Sequence, residues 1–220
     1  MTSFVAFDLD DTLYKEIDYV ESAYKYIANF ISLKYNLSEG ECYSILQSTF
    51  NPFEKFSEYI HSIGGTESLQ DFLDIYRTHF PKIKLDKDVI DTLFNLKNRK
   101  IHLGIITDGR QLSQMNKIKA LNLDKFLSDT NIIISEAIGV NKYYADGFQL
   151  IMNRNPNCSK FYYIADNTSK DFYWPNKLGW TTICIKDNGQ NIHKQNFDVE
   201  LEYKPQHIIH NFSDIISLIK

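Results

Sequence analysis

The 220-residue sequence predicts an α/β fold: a doubly wound parallel sheet, with an all-helical segment inserted after its first strand. Three observations predict it. Short β-branched and aromatic runs end in polar turns at residues 4–9, 102–107, 131–135, 161–165, 181–186 and 207–210. Several of these runs lack period-two alternation, as strands buried on both faces do. Helical stretches separate the later runs, and strand followed by helix, repeated, implies parallel strands joined by right-handed crossovers. Between residues 15 and 90, by contrast, no convincing strand occurs.

The first strand, 4–9, breaks off in an acidic turn, Asp8-Leu9-Asp10-Asp11. In the insert, Ile17, Val20, Tyr24, Ile27, Ile31 and Tyr35 recur at spacings of three and four, which predicts one long amphipathic helix. Ser38 with Glu41 has the spacing of a capping box for the next helix. Asn51-Pro52 marks a turn before a helix over 53–63, which Gly64-Gly65 stops. Another helix over 68–80 ends at Pro81, and one over 86–99 leads back into the second strand. The basic run Lys97-Asn98-Arg99-Lys100 falls where that helix should end, a position suited to compensating the helix dipole. The remaining helices are predicted at 111–121, 144–152, 169–178 and 213–220.

Composition narrows the function. A net charge of −4 argues against a nucleic-acid or membrane-surface binder, which would carry a basic excess. No apolar run approaches the ~20 residues that a membrane-spanning helix needs. The apolar residues that begin at Phe4 meet Asp8 at once, so no signal peptide is expected ahead of the strand. Cys42, Cys158 and Cys184 are odd in number and far apart, and read as free thiols in a reducing cytoplasm. His207 and His210, three apart in a strand, would face opposite ways and make a poor metal pair. The sequence leaves the oligomeric state open.

Four groups of polar residues fall at the ends of four predicted strands: Asp8-Leu9-Asp10-Asp11-Thr12, Thr107-Asp108-Gly109, Lys142, and Asp166 with Asp171. In a parallel sheet they converge on one edge. Carboxylates at Asp8, Asp166 and Asp171 would repel one another unless a cation neutralised them. Oxygen ligands without His or Cys select a hard ion, and Mg2+ is the usual one beside phosphate. A lysine, a threonine hydroxyl and exposed N–H groups nearby make a receptor for a tetrahedral dianion. Asp8 can then attack phosphorus as a carboxylate nucleophile. Asp10 has the spacing to protonate the leaving alkoxide and later take a proton from water, and neighbouring carboxylates should raise its pKa for the first task. Asp11 and Thr12 are expected to shape the turn.

The pattern DxDxT after an apolar strand, then a strand-end Thr, a Lys, and a strand-end Asp with a second Asp five positions on, resembles the haloacid dehalogenase superfamily. The resemblance implies a Rossmann-like core over 1–15 and 88–220 and a helical C1-type cap over 16–87. It implies that Asp8 is the nucleophile and a Mg2+ ligand, and that Asp10 is the acid/base and offers its carbonyl to the metal. Thr107 and Lys142 would hold the phosphoryl group together with the backbone at Leu9, Asp10 and Asp108. Asp166 would bind the metal and Asp171 support it. The expected activity is Mg2+-dependent hydrolysis of a small-molecule phosphate ester, a sugar phosphate or nucleotide, through an aspartyl-phosphate, with no nucleic-acid or membrane partner. A phosphomutase of the same superfamily is the alternative; a 2-haloacid dehalogenase fits less well, because it needs no Asp10, Asp166 or Asp171. A phosphoacceptor receiver domain fits least, because there the lysine comes last. Three details depart from the common pattern: Ala165 where Gly is frequent, Tyr143 where Pro is frequent, and Asp108 where Asn is common.

Overall fold

The structure, a computed structural model, describes residues 2–48 and 50–220. Six strands form one sheet: β1 (Thr2–Phe7), β2 (His102–Thr107), β3 (Ile132–Ile134), β4 (Cys158–Ala165), β5 (Thr181–Ile185) and β6 (His207–Ile209). Their order is β3-β2-β1-β4-β5-β6, and every adjacent pair is parallel. The chain winds outward from β1 to β3, then passes back over β1 to add β4, β5 and β6 on the other side. Winding therefore reverses between β1 and β4, and sheets of this kind take their ligands at the carboxyl ends of the strands beside that reversal. Phe7 stands level with Ile105 and Ile164, so the turns after β1, β2 and β4 open along the same edge.

The helices are α1 (Glu16–Tyr35), α2 (Glu39–Ser48), α3 (Pro52–Ser62), α4 (Leu69–Thr78), α5 (Lys87–Asn98), α6 (Gln111–Ala120), α7 (Ser135–Ile138), α8 (Asp146–Arg154), α9 (Tyr173–Lys177) and α10 (Ile215–Leu218). Continuous apolar sequence in β1 matches its position: Phe4, Val5, Ala6 and Phe7 are all buried. Phe4, Ala6, Ile106 and Tyr163 pack in one core with Phe148 and Trp180. The Phe148 ring meets Tyr163 and Trp180 edge-on at 5.0 and 5.6 Å, a favoured aromatic arrangement. Gly104 permits this closeness, because a Cβ there would lie 2.7 Å from both the Phe4 ring and the Asn131 carbonyl.

The chain divides into two compact units, Met1–Ile17 with Lys84–Lys220, and Asp18–Ile83. The sheet belongs to the first. The second is helical and has its own core, in which Ile27, Ala28 and Ile31 of α1 pack with Cys42 and Leu46 of α2, Phe56 and Ile60 of α3, and Phe72 of α4. Of the predicted stripe, Ile27 and Ile31 are buried and Tyr24 and Tyr35 pack partly buried against this core, while Ile17 is exposed. The buried face runs instead through Tyr19, Ala23, Ile27 and Ile31. A reciprocal capping box forms at Ser68 and Asp71, where each side chain accepts the other's backbone N–H. At Ser38 the hydroxyl accepts the Glu41 N–H at a longer 3.4 Å.

Three expectations change. The first strand ends at Phe7, so Asp8 and Leu9 lie in the turn beyond it. The helix expected over 169–178 is reduced to Tyr173–Lys177. Side chains compete with the helix there: Asn167 Oδ1 accepts the Ser169 N–H at 3.0 Å, and Asp171 Oδ2 accepts the Asn167 N–H at 3.1 Å. Asp171 consequently sits in a turn with its side chain buried. The last helix shortens to Ile215–Leu218 after a 3-10 turn at Phe212–Asp214. All three cysteines are free and buried. Among the described residues, no helix is long and apolar enough to cross a membrane.

Candidate active site

The turn after β1 is built from its own carboxylates. The Asp8 N–H still donates to the Ile164 carbonyl at 2.9 Å, holding Asp8 against β4. Asp11 adopts φ +55°, a left-handed conformation that Asp tolerates better than most residues. Its two oxygens accept the Glu16 and Ile192 N–H groups, each at 2.9 Å. Asp11 therefore closes the turn and also fastens the loop after β5 to it.

Asp8, Asp166 and Asp171 each bring a carboxylate oxygen to within 4.8 Å of the others. All three are buried. Lys142 Nζ lies 2.9 Å from Asp8 Oδ1, 2.7 Å from Asp171 Oδ1 and 3.3 Å from the Tyr163 hydroxyl. Asp166 accepts the Thr12 hydroxyl at 3.3 Å on Oδ1 and the Asn191 amide at 3.0 Å on Oδ2. Burial drives the Asp8 carboxyl up to about 6, with Lys142 opposing and Asp171 adding to the rise. Burial, then Asp8 and Asp171, push Asp166 up to about 8. Burial disfavours the Lys142 charge, but Asp171 and Asp8 outweigh it and hold the ammonium well above its usual pKa. One ammonium does not balance three carboxylates. The all-oxygen donor set and the missing positive charge together fit a hard divalent cation.

Across from this cluster, Thr107 ends β2, and its hydroxyl accepts Gln114 Nε2 at 2.7 Å. Asp108 follows with its carboxylate accounted for: Oδ1 accepts the Lys142 N–H at 3.0 Å, and Oδ2 pairs with Lys170 Nζ at 3.1 Å. Its extra charge is thereby neutralised by Lys170. Asp8, Asp10, Thr107, Asp108, Lys142 and Asp166 all line one cavity of about 210 Å3. Two residues named from the sequence stand outside its lining. Leu9 is buried, with its N–H on Asp8 Oδ1 at 2.8 Å, and Asp171 contacts Lys142.

Asp10 departs from expectation. Burial would raise its carboxyl, but Lys117, with hydrogen bonds from Lys117, Tyr14 and Gln114, outweighs burial and holds it below the usual value. Neighbouring carboxylates were expected to push it upward; a buried lysine contributed by α6 reverses the direction. The raised acid beside it is Glu16, driven up to about 7 by burial and then by Asp10. Gln114, Lys117, Glu16, Lys170 and Asn191 were not legible as site residues. Gln114 and Lys117 carry no signal in the sequence; only the fold shows that α6 buries Ser113, Gln114 and Lys117 beside Ile118.

An aspartate cluster at the reversal point of a parallel doubly wound sheet defines the class to which the molecule belongs. Residues 5–185 match the family described as haloacid dehalogenase-like hydrolase, and the chain belongs to that family of enzymes. A relative from Methanocaldococcus jannaschii, named glyceraldehyde 3-phosphate phosphatase, is 26% identical over 227 residues, covering 98% of this chain and 96% of its own. One of the same name from Methanopyrus kandleri is 28% identical over 199 residues, covering 84% of each chain. The crystal structure of a putative beta-phosphoglucomutase from Thermotoga maritima shares the fold, with a TM-score of 0.64 at 16% identity and full coverage of both chains.

Proposed function

We propose that the protein is a Mg2+-dependent phosphatase that hydrolyses a small phosphorylated metabolite through an aspartyl-phosphate on Asp8. The observation that carries this reading is the position of Asp8. Its carboxylate shares one cavity with Asp10, Thr107 and Lys142, and it stands within 4.8 Å of Asp166 and Asp171.

In this reading Asp8 attacks phosphorus while Lys142 and the Thr107 hydroxyl hold the phosphoryl oxygens, assisted by N–H groups of the turns at Leu9, Asp10 and Asp108. Asp10 gives its proton to the departing oxygen, then accepts one from the water that hydrolyses the aspartyl-phosphate. Against burial, Lys117, with hydrogen bonds from Lys117, Tyr14 and Gln114, favours the Asp10 carboxylate. A bound phosphate dianion adds negative charge beside it and favours the protonated form that the first step needs. Asp8 and Asp166, with the Asp10 carbonyl and with Asp171 in support, would hold Mg2+, which when bound neutralises these carboxylates and the phosphoryl oxygens. The helical unit is assigned the role of a cap, with residues 16–87 as its extent and 1–15 with 88–220 as the catalytic core. The archaeal relatives' names favour a sugar phosphate over a nucleotide as substrate. Free buried thiols accord with work in the cytoplasm.

The test is phosphate release with Mg2+ across glyceraldehyde 3-phosphate, other sugar phosphates and nucleoside monophosphates, with each product identified. Release is expected from sugar phosphates, and Asp8→Asn should lower it by at least about a thousandfold. Full turnover in Asp8→Asn would overturn the reading. An isomerised phosphate ester as product would assign the chain to the phosphomutases instead.

A further inference from the structure

Asp10 reaches the cavity already held from behind. Lys117 Nζ lies 2.8 Å from its Oδ1, the Tyr14 hydroxyl donates to the same oxygen, and Gln114 Nε2 lies 2.9 Å from Oδ2. Gln114 and Lys117 are three positions apart on α6, so they project from one face of the helix. Both are buried, at 1% and 4% exposure, an uncommon place for an amide and an ammonium. The Gln114 amide also lies 2.7 Å from the Thr107 hydroxyl and 3.2 Å from the Asp108 carbonyl. One side chain thus ties the turn after β1 to the turn after β2. Space for it is made at Gly109, which has φ +148°, and where a Cβ would stand 3.0 Å from Gln114 Cγ and Cδ.

We infer that Lys117 and Gln114 are positioning residues for proton transfer, fixing the Asp10 carboxyl in one orientation relative to Thr107 and the phosphoryl group it holds. The inference rests on the proposed role of Asp10 as proton donor. In the first step the Asp8 oxygen forms its bond to phosphorus, the ester P–O bond breaks, and the Asp10 proton passes to the departing oxygen. Asp10 is left as a carboxylate between Lys117 and Gln114, the arrangement seen here. In the second step water bonds to phosphorus, its proton passes to Asp10, and the P–O bond to Asp8 breaks. Lys117 acts in both steps only through its contact with Asp10.

Such a role makes a demand that a purely structural one does not. An ester with a strongly basic leaving group needs the Asp10 proton, whereas p-nitrophenolate leaves readily without it. Lys117→Met and Gln114→Leu should therefore lose about tenfold more kcat/KM on phenyl phosphate than on p-nitrophenyl phosphate. Lys117→Arg, which keeps the charge and a donor, should restore most of the difference. Asp10→Asn serves as the reference and should show the same ester dependence in larger measure. If Asp10→Asn shows it and both α6 variants lose equally on the two esters, the positioning inference is wrong while the role of Asp10 stands. If Asp10→Asn itself loses equally on both, the role assigned to Asp10 is wrong. Should Lys117→Met not fold, Gln114→Leu and Lys117→Arg carry the comparison.

Discussion

Among the carboxyls of the site that are pushed upward, Asp166 moves furthest. Burial and the neighbouring carboxylates push it up to about 8, far above the usual carboxylate range, and Asp8, at about 6, and Glu16, at about 7, shift the same way. Between pH 5 and pH 8 the native protein then binds more protons than the unfolded chain, so stability falls as pH rises. The contribution is fully present below about pH 4, where the unfolded carboxyls are protonated, and is lost as pH rises through these values. In chelator, Tm should drop by on the order of 5–10 °C from pH 5 to pH 8, a few kcal/mol in total. Saturating Mg2+ should flatten most of that slope, because it favours the ionised carboxylates. A chelated protein whose melting point is constant or climbs over this range would contradict the electrostatic account of the cluster.

Among the elements, the loop after β5 has the most specific task. Asp187 Oδ1 accepts the N–H groups of Gly189, Gln190 and Asn191 at 2.8, 3.0 and 3.0 Å, which curls the chain into a compact turn. The turn delivers the Asn191 amide to Asp166 Oδ2, while Lys15 Nζ holds the Asn191 oxygen at 2.6 Å. If Asp166 holds the proposed Mg2+, these are outer contacts that orient its carboxylate, and removing such contacts commonly weakens metal affinity by about tenfold or more. Asn191→Ala should weaken Mg2+ binding by about that factor in calorimetric titration, with Asp187→Ala changing it in the same direction. Unchanged affinity in both variants would show that Asp166 is oriented by Thr12 and the strand alone.

For the whole molecule, the parts legible in the sequence were those written into local pattern. Unbroken apolar runs such as residues 4–7 marked strands buried on both faces, and the spacing of Ile27 and Ile31 marked a helix with one buried stripe. The candidate site was legible where its side chains follow the ends of strands, as with Asp8 and Thr107, which line one cavity. It was opaque where a side chain reaches across from another element. Lys117 in QLSQMNKIKA reads as a solvated lysine, and only the tertiary fold turns it toward Asp10. The direction of the Asp10 shift differs from the sequence expectation for that reason: the carboxylates near it are visible in the sequence, and the ammonium is not. The helix before Trp180 is shorter than its sequence predicts for a related reason, since the Asn167 and Asp171 side chains take backbone donors in a turn.

The buried cysteines give the molecule its own reporters. Cys42 lies in the core of the helical unit, while Cys158 and Cys184 belong to the sheet unit. Burial pushes the Cys184 thiol up to about 12 and the Cys42 thiol upward as well, so neither presents thiolate at neutral pH. A thiol-alkylating reagent can therefore mark these positions only when the structure around them opens. Timed labelling, read by mass spectrometry residue by residue, should give one rate for Cys42 and a separate rate for Cys184, and substrate-site ligands should slow the second. Equal rates under all conditions would mean that the two units open as one. The protein carries, at native positions and without engineered tags, a clock for each half of its architecture.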